Sequence, residues 1–281
     1  MPQPVGDEQQ HRRGVAFRDL HHGEGAFVLP NPWDAGSARL LAQLGFPALA
    51  TTSAGLAFSL GKPDGADVVT REEALANARA IVAATDLPVS ADLESCYADS
   101  PDGVAETIRL AAGTGLVGGS IEDATADPAA PIRPMAVAVE RVEAAVAAAR
   151  ALPFPFTVTA RAENHLHGIA DLDDTIRRLR AYARAGADVL YAPGLPDLEA
   201  VQAVCAAVDR PVNVLASQGT TVAELAARGA RRISLGSMLA RAALGAAARA
   251  AREVAGLGTF GFAAEALPHG EVNALMAAAR R

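Results

Sequence analysis

Eight short apolar, β-branched runs alternate with Ala-rich amphipathic stretches along almost the whole chain, and this alternation limits the fold more than any other feature. The strand-like runs read AFVLPN, ALATTS, PVSADLE, GGSIED, FTVTARAE, DVLYAPG, PVNVLAS and RRISLG. The stretches between them, such as TREEALANARAIVAAT and LDDTIRRLRAYARAGA, place apolar residues at three- and four-residue spacing, the helical period. Thr70 stands before an acidic first turn, and Gly45, Gly186 and Gly229 stand where helices should stop. Eight consecutive strand–helix units predict an α/β fold, a (β/α)8 barrel of the TIM type. A chain of 281 residues, 51% hydrophobic and 20% charged, suits one such barrel as a single domain over 1–281.

The two ends depart from the repeat. Residues 1–22 read as a polar leader, and residues 237–281 as a closing helix (SMLARAALGAAARAAREVAGLG) followed, after a Gly-rich break, by a further helix (EALPHGEVNALMAAARR). Apolar helices left over at the end of a barrel need a neighbour, either the same barrel or a second copy in a homo-oligomer. A net charge of −7 without a basic block argues against nucleic acid. The most apolar stretches, such as AVAVERVEAAVAAARAL, are broken by Glu and Arg within a few residues, which argues against a membrane span. The distant cysteines Cys96 and Cys205 and the absence of an apolar leader point to a reducing cytoplasm.

Barrel active sites sit at the C-terminal ends of the strands, and here those ends are polar. They carry Asn31 and Asp34, Thr52 and Ser53, Asp92 and Glu94, Glu122 and Asp123, Arg161 and Glu163, Tyr191, Asn213 and Ser217, and Gly236 and Ser237. Asp92 and Glu94 are two apart in SADLES, so on a strand both face one side, expected to be the mouth. Paired carboxylates there repel unless a cation neutralises them, and Glu122 adds a third oxygen. An all-oxygen set suits Mg²⁺ or Mn²⁺ rather than Zn²⁺, whereas an isolated D-x-E more often caps a helix or pairs with Arg. Arg161 offers a planar fork for a substrate carboxylate, or an internal salt bridge to Glu163 or Glu122. The stretch TTSAGLAFSLGKPDG has the small residues of a loop that wraps an anion. His165 and His167 lack a third soft ligand and read as loop residues, and Trp33 reads as packing.

Taken in order, NPWDAGSARLLAQLGF, TTSAGLAFSLGKPDG, SADLES, SIED, TARAEN and NVLASQGTTVAELAARGARRISLG resemble the isocitrate lyase/phosphoenolpyruvate mutase superfamily over nearly the whole chain. The resemblance implies that Ser53, Ala54 and Gly55 touch substrate, that Asp92 binds Mg²⁺ directly or closely, and that Asp64, Glu94 and Glu122 hold its water shell. It also implies that Arg161 grips a substrate carboxylate, that Asn213 faces the ligand, and that Arg161, Glu122 and Asp64 form the catalytic set. Members of the family chelate a 2-oxo acid and stabilise an enolate while a C–C bond breaks or a phosphoryl group moves. Oligomers in which pairs of subunits exchange the last barrel helix, tetramers among them, are implied as well.

The departures are informative. The K-K-C-G-H loop of the isocitrate and methylisocitrate lyases is replaced by SIEDATADPAAPIRPMA, and the Tyr often found near Ser53 is Thr51, which leaves the proton donor unidentified. The Lys and Asn of the phosphonomutase gating loop are absent too, with only Arg133 between Asp127 and Pro134. The expected activity is a Mg²⁺-dependent lyase or decarboxylase for a small 2-oxo or 2-hydroxy (di)carboxylate. A phosphoenolpyruvate mutase or phosphonopyruvate hydrolase is the rival enzyme, and a non-catalytic 2-oxo acid binding protein the rival from another class.

Overall fold

The computed structural model describes residues 7–65 and 68–278. All eight predicted strands form: β1 (Phe27–Leu29), β2 (Leu49–Ala50), β3 (Val89–Asp92), β4 (Gly118–Glu122), β5 (Thr157–Arg161), β6 (Val189–Tyr191), β7 (Val212–Leu215) and β8 (Arg232–Ser234). Each pairs in parallel with its neighbours in the order β1-β8-β7-β6-β5-β4-β3-β2. The Ala50 N–H donates to Pro30 O at 3.0 Å across the remaining seam, giving a nearly closed (β/α)8 barrel. Gly118 and Gly119 open β4 because space runs out there: a Cβ on Gly119 would lie 2.7 Å from Leu93 Cδ1.

The outer layer is α2 (Ala35–Gln43), α4 (Arg71–Ala84), α5 (Pro101–Ala112), α6 (Met135–Arg150), α7 (Leu172–Arg184), α8 (Leu198–Ala207) and α9 (Val222–Ala227), with a short α3 (Ser53–Ser59) inserted after β2. Side chains of Asp34, Thr70, Ser100, Asp171, Asp197 and Thr221 cap six of these seven outer helices, each such cap contributing about 1 kcal/mol. The turns that start the helices therefore also fix where the strands end.

Four expectations change. Part of the polar leader is ordered: α1 (Glu8–Leu20) buries Gln10, Gly14 and Phe17. Gln10 donates to Ala112 O and Leu116 O, both at 2.9 Å, which ties α1 to the outer layer. The predicted anion loop is helical in its first half, because Thr52 accepts from the Gly55 N–H and starts α3 at Ser53. The strand argument for Glu94 fails, since β3 ends at Asp92 and Glu94 follows at φ 48°. Last, α10 (Met238–Leu257) forms where the closing helix was expected, yet of its 20 residues only Ala240 is buried. A short helix, α11 (His269–Ala277), returns to α2, where Arg39 Nη1 donates to Ala278 O at 3.2 Å.

Candidate active site

The site is built around Asp92, the last residue of β3. Its Oδ2 accepts from Ser53 Oγ at 3.0 Å and from the Ser53 N–H at 3.4 Å. Its Oδ1 accepts from Arg161 Nη1 at 2.7 Å, with Ser120 Oγ at 3.3 Å and the Glu94 N–H at 3.4 Å. Burial pushes this carboxyl up, but the Arg161 charge and the donors from Ser53 and Glu94 outweigh it and hold it below the usual carboxylate range. Asp92 is an anion by design of its neighbours.

Arg161, at the end of β5, reaches three carboxylates at once: Asp92, Glu122 Oε2 at 3.3 Å and Glu163 Oε1 at 2.8 Å. Its guanidinium carbon also lies 5.2 Å from the centroid of the Tyr191 ring. The internal salt bridge weighed from the sequence is therefore present. One guanidinium does not balance these acids. Burial raises the Glu122 carboxyl well above its ordinary value, and the charges of Glu163, Asp92 and Glu94 push it further up against the opposing pull of Arg161. Glu163 is raised for the same first reason, burial. Asp64 lies exposed on the loop after α3; crowding on its inner side, then the charge of Asp92, raises it.

Beyond β3 the chain turns through three left-handed residues that are not glycine, Glu94, Cys96 (φ 58°) and Tyr97 (φ 51°). Such strain, roughly 1–3 kcal/mol per residue, persists only where the surroundings over-determine it. Here Arg141 of α6, 1% exposed, supplies the constraint by donating to Ser95 O and Ala98 O at 2.5 Å and to Asp99 O at 2.6 Å. Thr107 Oγ1 adds a bond to Cys96 O at 2.7 Å. A helix residue thus aims the Glu94 turn.

A cavity of about 190 Å³ opens beside this cluster, lined by Ser53, Ala54, Asp92, Arg161, Tyr191 and Asn213 among others. Glu94 and Glu122 line an adjacent cavity of about 300 Å³ with Tyr97, Asp127 and Arg133. Gly55 is buried behind Ser53, where a Cβ would lie 2.5 Å from Thr52 Cγ2 and 3.0 Å from Trp33 Cβ, so its place is set by packing. The Asn213 amide is occupied on both sides, accepting from Arg232 Nε at 2.8 Å and donating to Ser234 Oγ at 2.9 Å. Asp123 lies at the end of the same strand as Glu122 but serves structure: it accepts from Arg178, the Tyr182 hydroxyl and the Glu163 N–H.

Among the described residues no three His, Cys, Asp or Glu side chains converge as a ready-made metal cage. The donor chemistry nevertheless fits a hard cation. The mouth is all oxygen, carries more carboxylates than its arginine neutralises, and Mg²⁺ needs only one or two carboxylates while keeping several waters.

The sequence model described as phosphoenolpyruvate phosphomutase matches residues 17–255. The chain belongs to this family, within the isocitrate lyase/phosphoenolpyruvate mutase superfamily. Family members are enzymes, and lyases are among them. In structure the chain is similar to a Burkholderia cenocepacia J2315 protein described only as a lyase/mutase, with 56% identity, TM-score 0.95 and coverage of 98% of this chain and 99% of that one. Oxaloacetate acetylhydrolase, solved with its product oxalate, aligns with TM-score 0.86 at 27% identity over 96% of this chain and 95% of its own. Oxaloacetate decarboxylase of Bradyrhizobium diazoefficiens is 31% identical over 204 residues, 71% of this chain and 69% of that protein. The activities of these family members differ, so the fold is shared while the reaction varies.

The sequence reading missed three features of this site: the Arg141 clamp, the full set of carboxylates on Arg161, and Arg232 on β8. The first and last are arginines in helix and strand patterns that look solvent-facing when read one residue at a time.

Proposed function

We propose that this enzyme is a Mg²⁺-dependent carbon–carbon lyase or decarboxylase that acts on a small 2-oxo or 2-hydroxy dicarboxylate of the oxaloacetate or substituted malate kind. The observation that carries the reading is the Asp92–Arg161–Glu122–Glu163 cluster beside a cavity sized for a few carbons. Asp92 and Glu122 would hold the cation, with Glu94 and Asp64 on its hydration. The bound ion would supply a fixed charge against the negative oxygen that develops when the bond beside a carbonyl breaks.

The chain's own groups divide the remaining work. Ser53 and Ala54 border the cavity and place the substrate's carboxylate end against Arg161. Glu163, 3% exposed, keeps Arg161 oriented, and Asp92 and Glu122 would be the carboxylates that hold the cation. Tyr191 supplies a proton-bearing group on the cavity wall: burial pushes its phenol up to about 12, so it stays protonated at neutral pH. The absent K-K-C-G-H loop disfavours isocitrate and methylisocitrate cleavage on this chain.

The matching family model gives one observation in favour of phosphonate chemistry, and the same assay decides between the two. Pyruvate release from oxaloacetate and alkylmalates is followed with a coupled reaction, and phosphonopyruvate turnover by phosphorus NMR because a mutase would release no pyruvate, each with and without Mg²⁺. Mg²⁺-dependent turnover of a carbon acid is expected, and turnover of phosphonopyruvate alone overturns the assignment.

We also infer that the chain is a homo-oligomer whose copies exchange α10. Leu239 and Ala240 in its first turn pack on its own barrel, but beyond them α10 buries no residue, and Leu244, Val254 and Leu257 remain exposed. Among the described residues no helix is long and apolar enough to cross a membrane.

A further inference from the structure

Two arginines line the cavity at the barrel mouth, and their charges are met in opposite ways. Arg161 faces three carboxylates. Arg232, 4% exposed on β8, faces none: Nε donates to Asn213 Oδ1 at 2.8 Å, Nη1 to His21 Nε2 at 3.3 Å and Nη2 to Thr159 Oγ1 at 3.0 Å. All three acceptors are neutral. His21 points its Nδ1 at Phe17 O, 2.8 Å away, which assigns the proton to Nδ1 and leaves Nε2 as the acceptor. Burial first, then the charge of Arg232, drives this imidazole down to about 3, so it is uncharged at neutral pH. Burial lowers Arg232 itself only to about 10, so the guanidinium keeps its charge.

A guanidinium has five N–H donors, and three of those on Arg232 are used. The other two meet no acceptor among the described residues. A buried ion without a counter-charge costs several kcal/mol, which a fold retains only for a return elsewhere. The surroundings are unusual as well. Barrel interiors are ordinarily filled with Val, Ile and Leu, but the cavity that Arg161 and Arg232 share sets Ser90, Ser120, Thr159, Asn213 and Ser234 among its apolar residues Leu29, Ala50, Ala91 and Leu215. Short polar side chains there leave open volume and line it with hydrogen-bonding groups.

We infer that Arg232 is the anion-binding point at the inner end of the cavity, where it receives the second carboxylate of a small dicarboxylate whose first end lies against Ser53, Asp92 and Arg161. This rests on the proposed function only in placing the substrate in this cavity. The volume of about 190 Å³ limits the ligand to a few carbons. Asn213 then acts as a positioning residue, because its amide is spent on orienting the Arg232 fork.

The test uses two probes of nearly equal shape that differ by one charge at the far end, succinate and its monoamide succinamate. Each is titrated calorimetrically into the full chain with Mg²⁺ in chloride-free buffer. Wild type is expected to bind succinate about tenfold or more tightly than succinamate, the worth of one charge-assisted pair. Arg232→Gln should erase that preference and Arg232→Lys keep part of it. Equal affinity for the two probes in wild type, or binding of neither, overturns the inference without relying on a variant that folds. Neither probe has to turn over. A chain that discriminates between them yet releases no pyruvate in the assay above refutes the proposed reaction alone, and one that turns over without discriminating refutes the role of Arg232 alone.

Discussion

At the scale of single residues, the chain spends its buried charges unevenly. The mouth concentrates acid around one arginine, while deeper in the barrel the charged Arg232 is hydrogen-bonded to a neutral His21 and has no acid partner among the described residues. His21 packs edge-on between Phe17, centroids 4.8 Å apart, and Phe27, 5.1 Å apart, and must stay neutral there. Its folded value of about 3 lies below the 6.5 of a free imidazole, so the unfolded chain binds the proton first. The stability this group contributes is therefore complete above about 6.5 and is lost as pH falls from there toward 3, at up to about 1.4 kcal/mol per unit. Thermal melts of wild type and His21→Gln between pH 7.5 and 5 should diverge in that sense, with the variant losing less; parallel curves would contradict it. Asp92 titrates in wild type and variant alike, so the difference between the two isolates the imidazole.

At the scale of elements, the strands were legible because each β-branched run ends in a polar residue and begins after a glycine or proline turn. The carboxylates Asp92 and Glu122 and the guanidinium of Arg161 were legible for the same reason: they stand where strands stop. Glu94 was not, because a two-residue alternation assumes a strand that in fact ends at Asp92, and nothing in SADLESCY announces three left-handed residues held by a buried arginine some forty-five positions away. The helix α1 escaped notice because only Gln10, Gly14 and Phe17 face inward, too few for an apolar stripe. Conversely, α10 was predicted as a helix from its composition, while the exposure of nearly all of it beyond its first turn is a tertiary fact. Multi-angle light scattering on the full chain should give a mass that is a multiple of 28.7 kDa. A mass of one chain at working concentration would leave the α10 face uncovered and would contradict helix exchange.

At the scale of the molecule, the barrel turns separate acids into one site: strands β3, β4 and β5 carry Asp92, Glu122 and Arg161 to adjacent positions on one rim, in register through Ser120 and Glu122. The net charge of −7 gives no general attraction for an anionic substrate, so the proposed binding would have to come from local cations: the two cavity arginines and the proposed metal. Everything proposed about the reaction depends on that metal being held by this rim. Electron paramagnetic resonance of Mn²⁺ titrated into the full chain with oxalate present measures it directly. One Mn²⁺ per chain, displaced by Mg²⁺ and weakened about tenfold or more in Asp92→Asn, is the expected result. Equal Mn²⁺ affinity in wild type and Asp92→Asn would contradict it.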